Sequence, residues 1–150
     1  MIKLDAYNNK ILQVLSLDGR ISNLDLAEKI GLSPSACLRR VQELESQGLI
    51  KGYRAVYDNE LLGIGFIAFV MVGLNEHTKD SQQKFEQAIA HAFEVKECHN
   101  VTGSFEYLLR VETADLKHYK TFHTDVLGTL PQVATITSHV LMETTKDQRC

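Results

Sequence analysis

Three groups of residues in this chain could do chemistry. Ser33-Pro34-Ser35, followed by Arg39-Arg40 and Glu43, sets small hydroxyls and then two cations along one helical run. Short hydroxyls at a helix start can approach base edges, and guanidinium groups read guanine or grip phosphate. Thr102–Tyr107, TGSFEY, is a glycine turn ending in a carboxylate. Such a turn offers Glu106 to an ammonium group and free N–H and hydroxyl donors to a carboxylate. A plain hairpin turn with a solvated Glu has the same sequence. The third group is scattered: His77, His91, His99, His118, His123 and His139, all in the second half, with Cys37, Cys98 and Cys150. His118 and His123 are five apart, so they do not share a helix face as i, i+4 ligands would, and Cys98 and His99 alternate across a strand. The residues therefore predict no metal site. They supply no nucleophile–base set and no phosphate-cradling loop, Gly63-x-Gly65 being too short a signal, so the chain is not expected to be an enzyme.

The arginines need a helix to present them. Ser33 before Pro34 is a helix start: the Ser side chain accepts from a free N–H, and Pro at the first position loses no needed donor. The helix should run to about Gln47, with Gly48 as its stop. Cys37, Leu38, Val41 and Leu44 form its apolar stripe, and Ser35, Arg39, Arg40, Gln42, Glu43 and Gln47 lie off it. Ile21–Ile30 precedes it, with Ser22 or Asn23 as cap and Leu24, Leu26, Ala27 and Ile30 as apolar face. Gly31-Leu32-Ser33 joins the two, a helix-turn-helix spacing that an ordinary αα-hairpin would share. Asp5 opens an earlier helix with Tyr7, Ile11, Leu12, Val14 and Leu15 inward, closed by Asp18-Gly19. Leu49-Ile50 and Tyr53–Tyr57 read as a short strand or wing, where Lys51 and Arg54 contact phosphate or are simply solvated.

The second half changes rhythm. Gly65–Leu74 is continuously apolar and rich in strand formers. Helical spacing follows over Lys79–Ala92. Strands are predicted at Val95–Thr102 and Glu106–Thr113, then a helix at Ala114–Leu127 and a strand at Val133–Met142. The order βαββαβ predicts a ferredoxin-like sheet with both helices on one face. Phe66, Ala68, Val70 and Val72 are as apolar as Ile67, Phe69 and Met71, so the first strand calls for a second cover. A sheet of another subunit is the simplest one.

With 44% hydrophobic and 23% charged residues the chain is globular, and its net charge of −3 does not advertise a nucleic-acid binder. Residues 1–60 are balanced at eight Lys/Arg against eight Asp/Glu, and residues 61–150 carry eight against eleven. One neutral copy would bind DNA modestly and salt-sensitively, which argues for an oligomer. The longest uncharged run, Leu61 to Leu74, is shorter than the roughly 20 residues of a membrane helix. The start, MIKLDAYNNK, lacks a signal-peptide core, and three widely spaced cysteines read as reduced thiols of a cytoplasmic protein.

Four stretches together carry a family resemblance: DGRISN at 18–23, GLSPSACLRRVQELESQGLIKGY at 31–53, KECHNVTGSFEYLLRVE at 96–112, and the spaced Leu130, Pro131, Val133, Thr135 and Thr137. The chain resembles the leucine-responsive regulator/asparagine regulator (Lrp/AsnC) family of transcription factors over nearly its whole length. The resemblance implies an α+β protein: a three-helix winged helix-turn-helix domain at 1–57, a linker at 58–64, and a βαββαβ amino-acid-binding and oligomerisation domain at 65–150. It implies double-stranded DNA as partner, met by Ser33, Ser35, Arg39, Arg40, Glu43, Lys51 and Arg54. It implies homodimers formed through the sheets and assembling into tetramers or octamers, and an amino-acid effector bound between dimers. Thr102, Gly103, Ser104, Phe105, Glu106 and Tyr107 would meet the effector, with Ala134, Thr135 and Thr137 of a neighbouring dimer. Leu130, Pro131 and Val133 add an apolar wall without charge, so a leucine- or methionine-type effector is expected, and no cofactor. The family's turn usually reads G-D-F-D-Y. Here Glu106 is one methylene longer and Ser104 replaces a charge; Asn8 stands where Asp is frequent. Regulation of amino-acid metabolism from the nucleoid of the cytoplasm is the function this implies. A DNA-wrapping architectural protein without effector is the alternative.

Overall fold

The computed structural model describes residues 4–147. The chain divides between Val56 and Tyr57 into two units, with Lys146 and Asp147 grouping with the first. The first unit is three helices: α1 (Ala6–Leu17), α2 (Asn23–Ile30) and α3 (Pro34–Ser46). Each starts at a side-chain cap. Asp5 accepts from the Asn8 N–H at 2.8 Å, Ser22 from Asp25 at 3.1 Å and Ser33 from Ala36 at 3.3 Å. These caps satisfy donors that no earlier turn can reach. Gly31, at φ 75°, ends α2 in the left-handed conformation that lets the chain turn at once into α3.

The core of this unit is Ile11, Leu26, Ala27, Ile30, Cys37 and Leu44, all buried. Three expected core residues are not in it. Tyr7 is 40% exposed, Leu24 67% and Leu38 46%. Leu24 and Leu38 sit roughly 100° off the centre of their buried stripes, at about 100° per residue, so the neighbouring helix does not cover them; the Tyr7 ring lies under the Arg40 guanidinium instead. The expected strand at Tyr53–Tyr57 makes no ladder pairing. A strand needs an edge to pair with, and this unit has no other strand among the described residues. The segment is anchored instead by Tyr53, whose hydroxyl donates to Glu45 at 2.9 Å.

The second unit comprises β1 (Phe66–Leu74), α4 (Lys79–Ala90), β2 (Val95–Asn100), β3 (Tyr107–Thr113), α5 (Leu116–Asp125), a 3-10 turn at Leu127–Thr129 and β4 (Val133–Val140). The sheet is antiparallel in the order β2-β3-β1-β4, the expected ferredoxin-like topology. The Asp58–Gly63 turn belongs to this unit, and Ile64 N–H closes it on the Asn59 carbonyl at 2.8 Å. Asp115 caps α5, so that helix starts two residues later than its apolar spacing suggests.

β1 is central and alternates cleanly. Ala68, Val70, Val72 and Leu74 are buried against Phe85 and Ile89 of α4 and Tyr119 and Phe122 of α5. Ile67, Phe69 and Met71 face the other way and are half-buried. Beside them on β3, Arg110 lies over the Phe69 ring at 5.7 Å and pairs with Glu112 at 2.8 Å. Cys98 and His99 of β2 stand opposite Leu109 and Leu108, on opposite faces of the sheet. Cys37 is buried; Cys150 lies outside the described residues.

Candidate DNA and ligand sites

Helix α3 presents one polar line. Ser35, Arg39 and Glu43 recur every four residues and are exposed. Arg39 makes no ion pair with any described residue, whereas Glu43 accepts from Gln47 at 3.1 Å. Ser33 is occupied as the helix cap and lies 3.3 Å from the Ser35 hydroxyl. Asn23 of α2 donates to the Pro34 carbonyl at 2.8 Å, fixing the start of α3 against α2. Lys51 and Arg54 are exposed beyond the helix end.

Arg40 is placed differently from its neighbour. One residue further round the helix, it turns onto α1. Its Nη1 donates to Asp5 Oδ2 at 2.7 Å and to Asn8 Oδ1 at 2.9 Å, and its guanidinium lies 5.3 Å from the centre of the Tyr7 ring. It is partly covered, with 25% of its side chain exposed. The structure thus gives Arg40 a positioning task that its sequence position beside Arg39 does not disclose. The carboxyl of Asp5 is held below its ordinary value by the Asn8 N–H first and by Arg40 second.

The second constellation gathers at the end of β1. Glu106 follows the Thr102–Phe105 turn, and its side chain is 16% exposed. Its Oε2 accepts from the Leu74 N–H at 2.7 Å, and its Oε1 lies 2.7 Å from His77 Nδ1. Thr135 stands over Gly73, where a side chain would collide with its hydroxyl. Here β4 carries an irregularity: Gly73 pairs with Thr135 but Leu74 with Val133, leaving Ala134 as the extra residue. The loop after β1 is tied to the start of β4, with Asn75 N–H on the Gln132 carbonyl at 2.8 Å and Asn75 Nδ2 on that of Pro131 at 2.7 Å.

So Glu106, Ala134 and Thr135 come together within one chain, beside Gly73, Leu74, Asn75 and His77, which the sequence reading missed. The signal available was their place directly after a strand apolar on both faces. Thr102, Gly103 and Ser104 are exposed at the hairpin tip, Phe105 is half-buried, and Thr137 lies further along β4 opposite Met71. Tyr107 is not in this group. It is buried on the helix-covered face, its ring 4.6 Å from that of Phe85 and its hydroxyl donating to Glu86 at 2.6 Å. Burial first, then the Glu86 carboxylate, pushes its phenol up to about 12. Among the described residues no three His, Cys, Asp or Glu side chains converge as a metal site.

A helix-turn-helix with an exposed polar line, joined to a βαββαβ sheet that holds a fixed carboxylate, defines a class of ligand-responsive DNA-binding regulators. Residues 4–51 match a winged helix-turn-helix DNA-binding domain, and residues 67–149 match the Lrp/AsnC ligand-binding domain. The chain belongs to the Lrp/AsnC family of transcriptional regulators. It is 43% identical to the leucine-responsive regulatory protein of Haemophilus influenzae, over 95% of this chain and 86% of that one. A Neisseria meningitidis transcriptional regulator in complex with L-methionine superposes with a TM-score of 0.93 at 34% identity, covering 97% of this chain and 94% of that one. The feast or famine regulatory protein of M. tuberculosis, also complexed with L-methionine, gives 0.86 at 29% identity, covering 99% and 98%. A ligand-binding domain of this family makes the chain an effector-responsive regulator rather than an effector-free architectural protein.

The Asp5–Arg40 contact yields a test. A carboxyl held below its unfolded value contributes stability that is intact above about pH 4 and is lost as the pH falls through its folded value. Asp5→Asn should therefore lower the melting temperature of the helical unit at pH 7, and the difference from wild type should shrink below about pH 3.8. Arg40→Ala should lower it too, and the double variant should fall short of the sum, because the two side chains share one contact. Strict additivity in thermal melts would show that Arg40 does not hold α1 to α3.

Proposed function

We propose that this chain binds operator DNA through Ser35 and Arg39 of α3, with Lys51 and Arg54 on flanking phosphate, and that a leucine- or methionine-type amino acid held at Glu106 tunes that binding. The observation that carries the reading is the Glu106 carboxylate, mostly covered and fixed by a backbone N–H at 2.7 Å in the ligand-binding domain. A fixed carboxylate is what an α-ammonium group requires, because little further ordering is needed on binding. The surroundings at Leu74, Pro131, Val133 and Thr135 carry no charge that would select a lysine or glutamate side chain. That two related structures hold L-methionine, and that a curated relative is named leucine-responsive, supports the same ligand class.

The outer sheet face supports assembly. Ile67, Phe69, Met71 and Leu108 form a half-buried apolar strip on β1 and β3. A second copy of the same sheet covers it in our reading, giving a dimer with two helix-turn-helix units and two half-sites about 10 bp or a multiple apart. Such dimers would assemble further into tetramers or octamers, and the protein would act on the chromosome in the cytoplasm.

Four substitutions have distinct expected outcomes. Arg39→Ala should weaken operator binding about tenfold or more in gel-shift titrations if Arg39 reads a base, and should reduce the salt slope by about one if it grips phosphate; wild-type affinity and slope would remove Arg39 from the interface. Met71→Lys should yield a folded monomer in light scattering, since the charge lies on the outer face. Val70→Asp, on the buried face, should unfold the domain instead. Glu106→Gln keeps an acceptor for Leu74 but removes the charge. L-methionine or L-leucine should raise the melting temperature of the wild type and not of this variant, and an equal shift in both would place the ammonium partner elsewhere.

A further inference from the structure

We propose that His77 is a built-in stand-in for the effector's ammonium, and that the effector binds by displacing its imidazole from Glu106 Oε1. The proposal rests on the reading of Glu106 as ammonium partner. It starts from how the two carboxylate oxygens are used. Oε2 is committed to the Leu74 N–H, which is buried at the end of β1 and has no other acceptor on that edge. Only Oε1 can be exchanged, and His77 Nδ1 already holds it at 2.7 Å. A ring nitrogen on a carboxylate oxygen at that distance occupies the place an α-ammonium would take.

The surroundings make His77 the part free to move. Its side chain is 78% exposed, against 16% for Glu106. The loop is pinned on both sides of Glu76-His77. Asn75 is bonded to Gln132 and Pro131, and Thr78 caps α4 by accepting from the Ser81 N–H at 3.2 Å. The imidazole can therefore swing into water without unfolding the loop. A contact held by a side chain as exposed as His77 is weak, so the stand-in lowers effector affinity only about threefold. That is enough to raise the effector concentration at which the regulator responds, and too little to block it.

The test is isothermal calorimetry on the full chain with L-methionine and L-leucine, using His77→Ala, His77→Lys and Glu106→Gln, each checked for an unchanged circular dichroism spectrum. Displacement predicts an order. His77→Ala should bind about threefold tighter than wild type. His77→Lys, which puts a permanent cation beside Oε1, should bind more weakly. Glu106→Gln should lose binding. The reverse order for the two His77 variants would mean that the imidazole stays and meets the ligand's carboxylate, and would overturn the stand-in while leaving Glu106 in its role. Unchanged affinity in both His77 variants, with binding lost in Glu106→Gln, would overturn it likewise. Undiminished binding in Glu106→Gln, or no heat from wild type and His77→Ala alike at millimolar ligand, would overturn the Glu106 reading and the stand-in together.

Discussion

The N–H of Leu74 has to find an acceptor, and much of the ligand domain's arrangement follows from how it does. β1 is central, with β3 on one edge and β4 on the other. On the β3 edge the ladder runs from Phe66–Thr113 to Val72–Tyr107, where Glu106 N–H still reaches the Val72 carbonyl at 3.1 Å. The chain then leaves the sheet for the hairpin, one step before Leu74. A buried backbone donor without a partner costs roughly 1–3 kcal/mol. The Glu106 side chain bends back to supply the missing acceptor. A carboxylate serves better than a hydroxyl there, because the hydrogen bond is charge-assisted and a second oxygen remains for other use. The side chain at this position, one methylene longer than an Asp, is here a surrogate for the next residue of β3.

Much of this was legible in the sequence, because local rules decide it. Ser22, Ser33 and Asp5 announce helix starts, and Gly31 announces the sharp turn between α2 and α3. The alternation from Ile67 to Val72 sorts into a fully buried and a half-buried face. What was not legible depends on contacts distant in sequence. Arg39 and Arg40 are identical in type and adjacent, yet one points outward and the other is drawn to Asp5, thirty-five residues earlier. Tyr107 adjoins Glu106, but alternation along β3 sends it into the core. The Tyr53–Tyr57 segment has strand-forming residues and no edge to pair with, so composition alone overstates its order.

The charges on the outer sheet face bear on what can cover it. Arg110 and Glu112 neutralise each other at 2.8 Å, and the guanidinium plane lies over Phe69, so that pair presents little bare charge to a partner; Glu97, opposite Arg110 on β2, lies 3.0 Å from His99 Nε2. A face of this composition suits a second sheet more than a lipid or a lone helix. Side chains of two facing sheets interdigitate across the contact, and a charge pair already matched within one sheet can be covered there.

The double use of Glu106 constrains how a ligand there could be felt elsewhere. A ligand shifts an equilibrium only by its differential affinity for two arrangements. If it took Oε2, it would strip the acceptor from Leu74 and disturb β1 itself, at a cost comparable to its own binding contact. Taking Oε1 leaves β1 intact and confines the change to the loop that carries His77. That loop is bonded at Asn75 to the residues immediately before β4. β4 is an edge strand whose Thr135, Thr137 and His139 share the outer sheet face with Phe69 and Met71. The path from the carboxylate to that face is therefore two hydrogen bonds and one strand, all outside the buried core. A signal leaving the ligand site along this route reaches the surface where a second subunit would pack without requiring the core of the domain to rearrange.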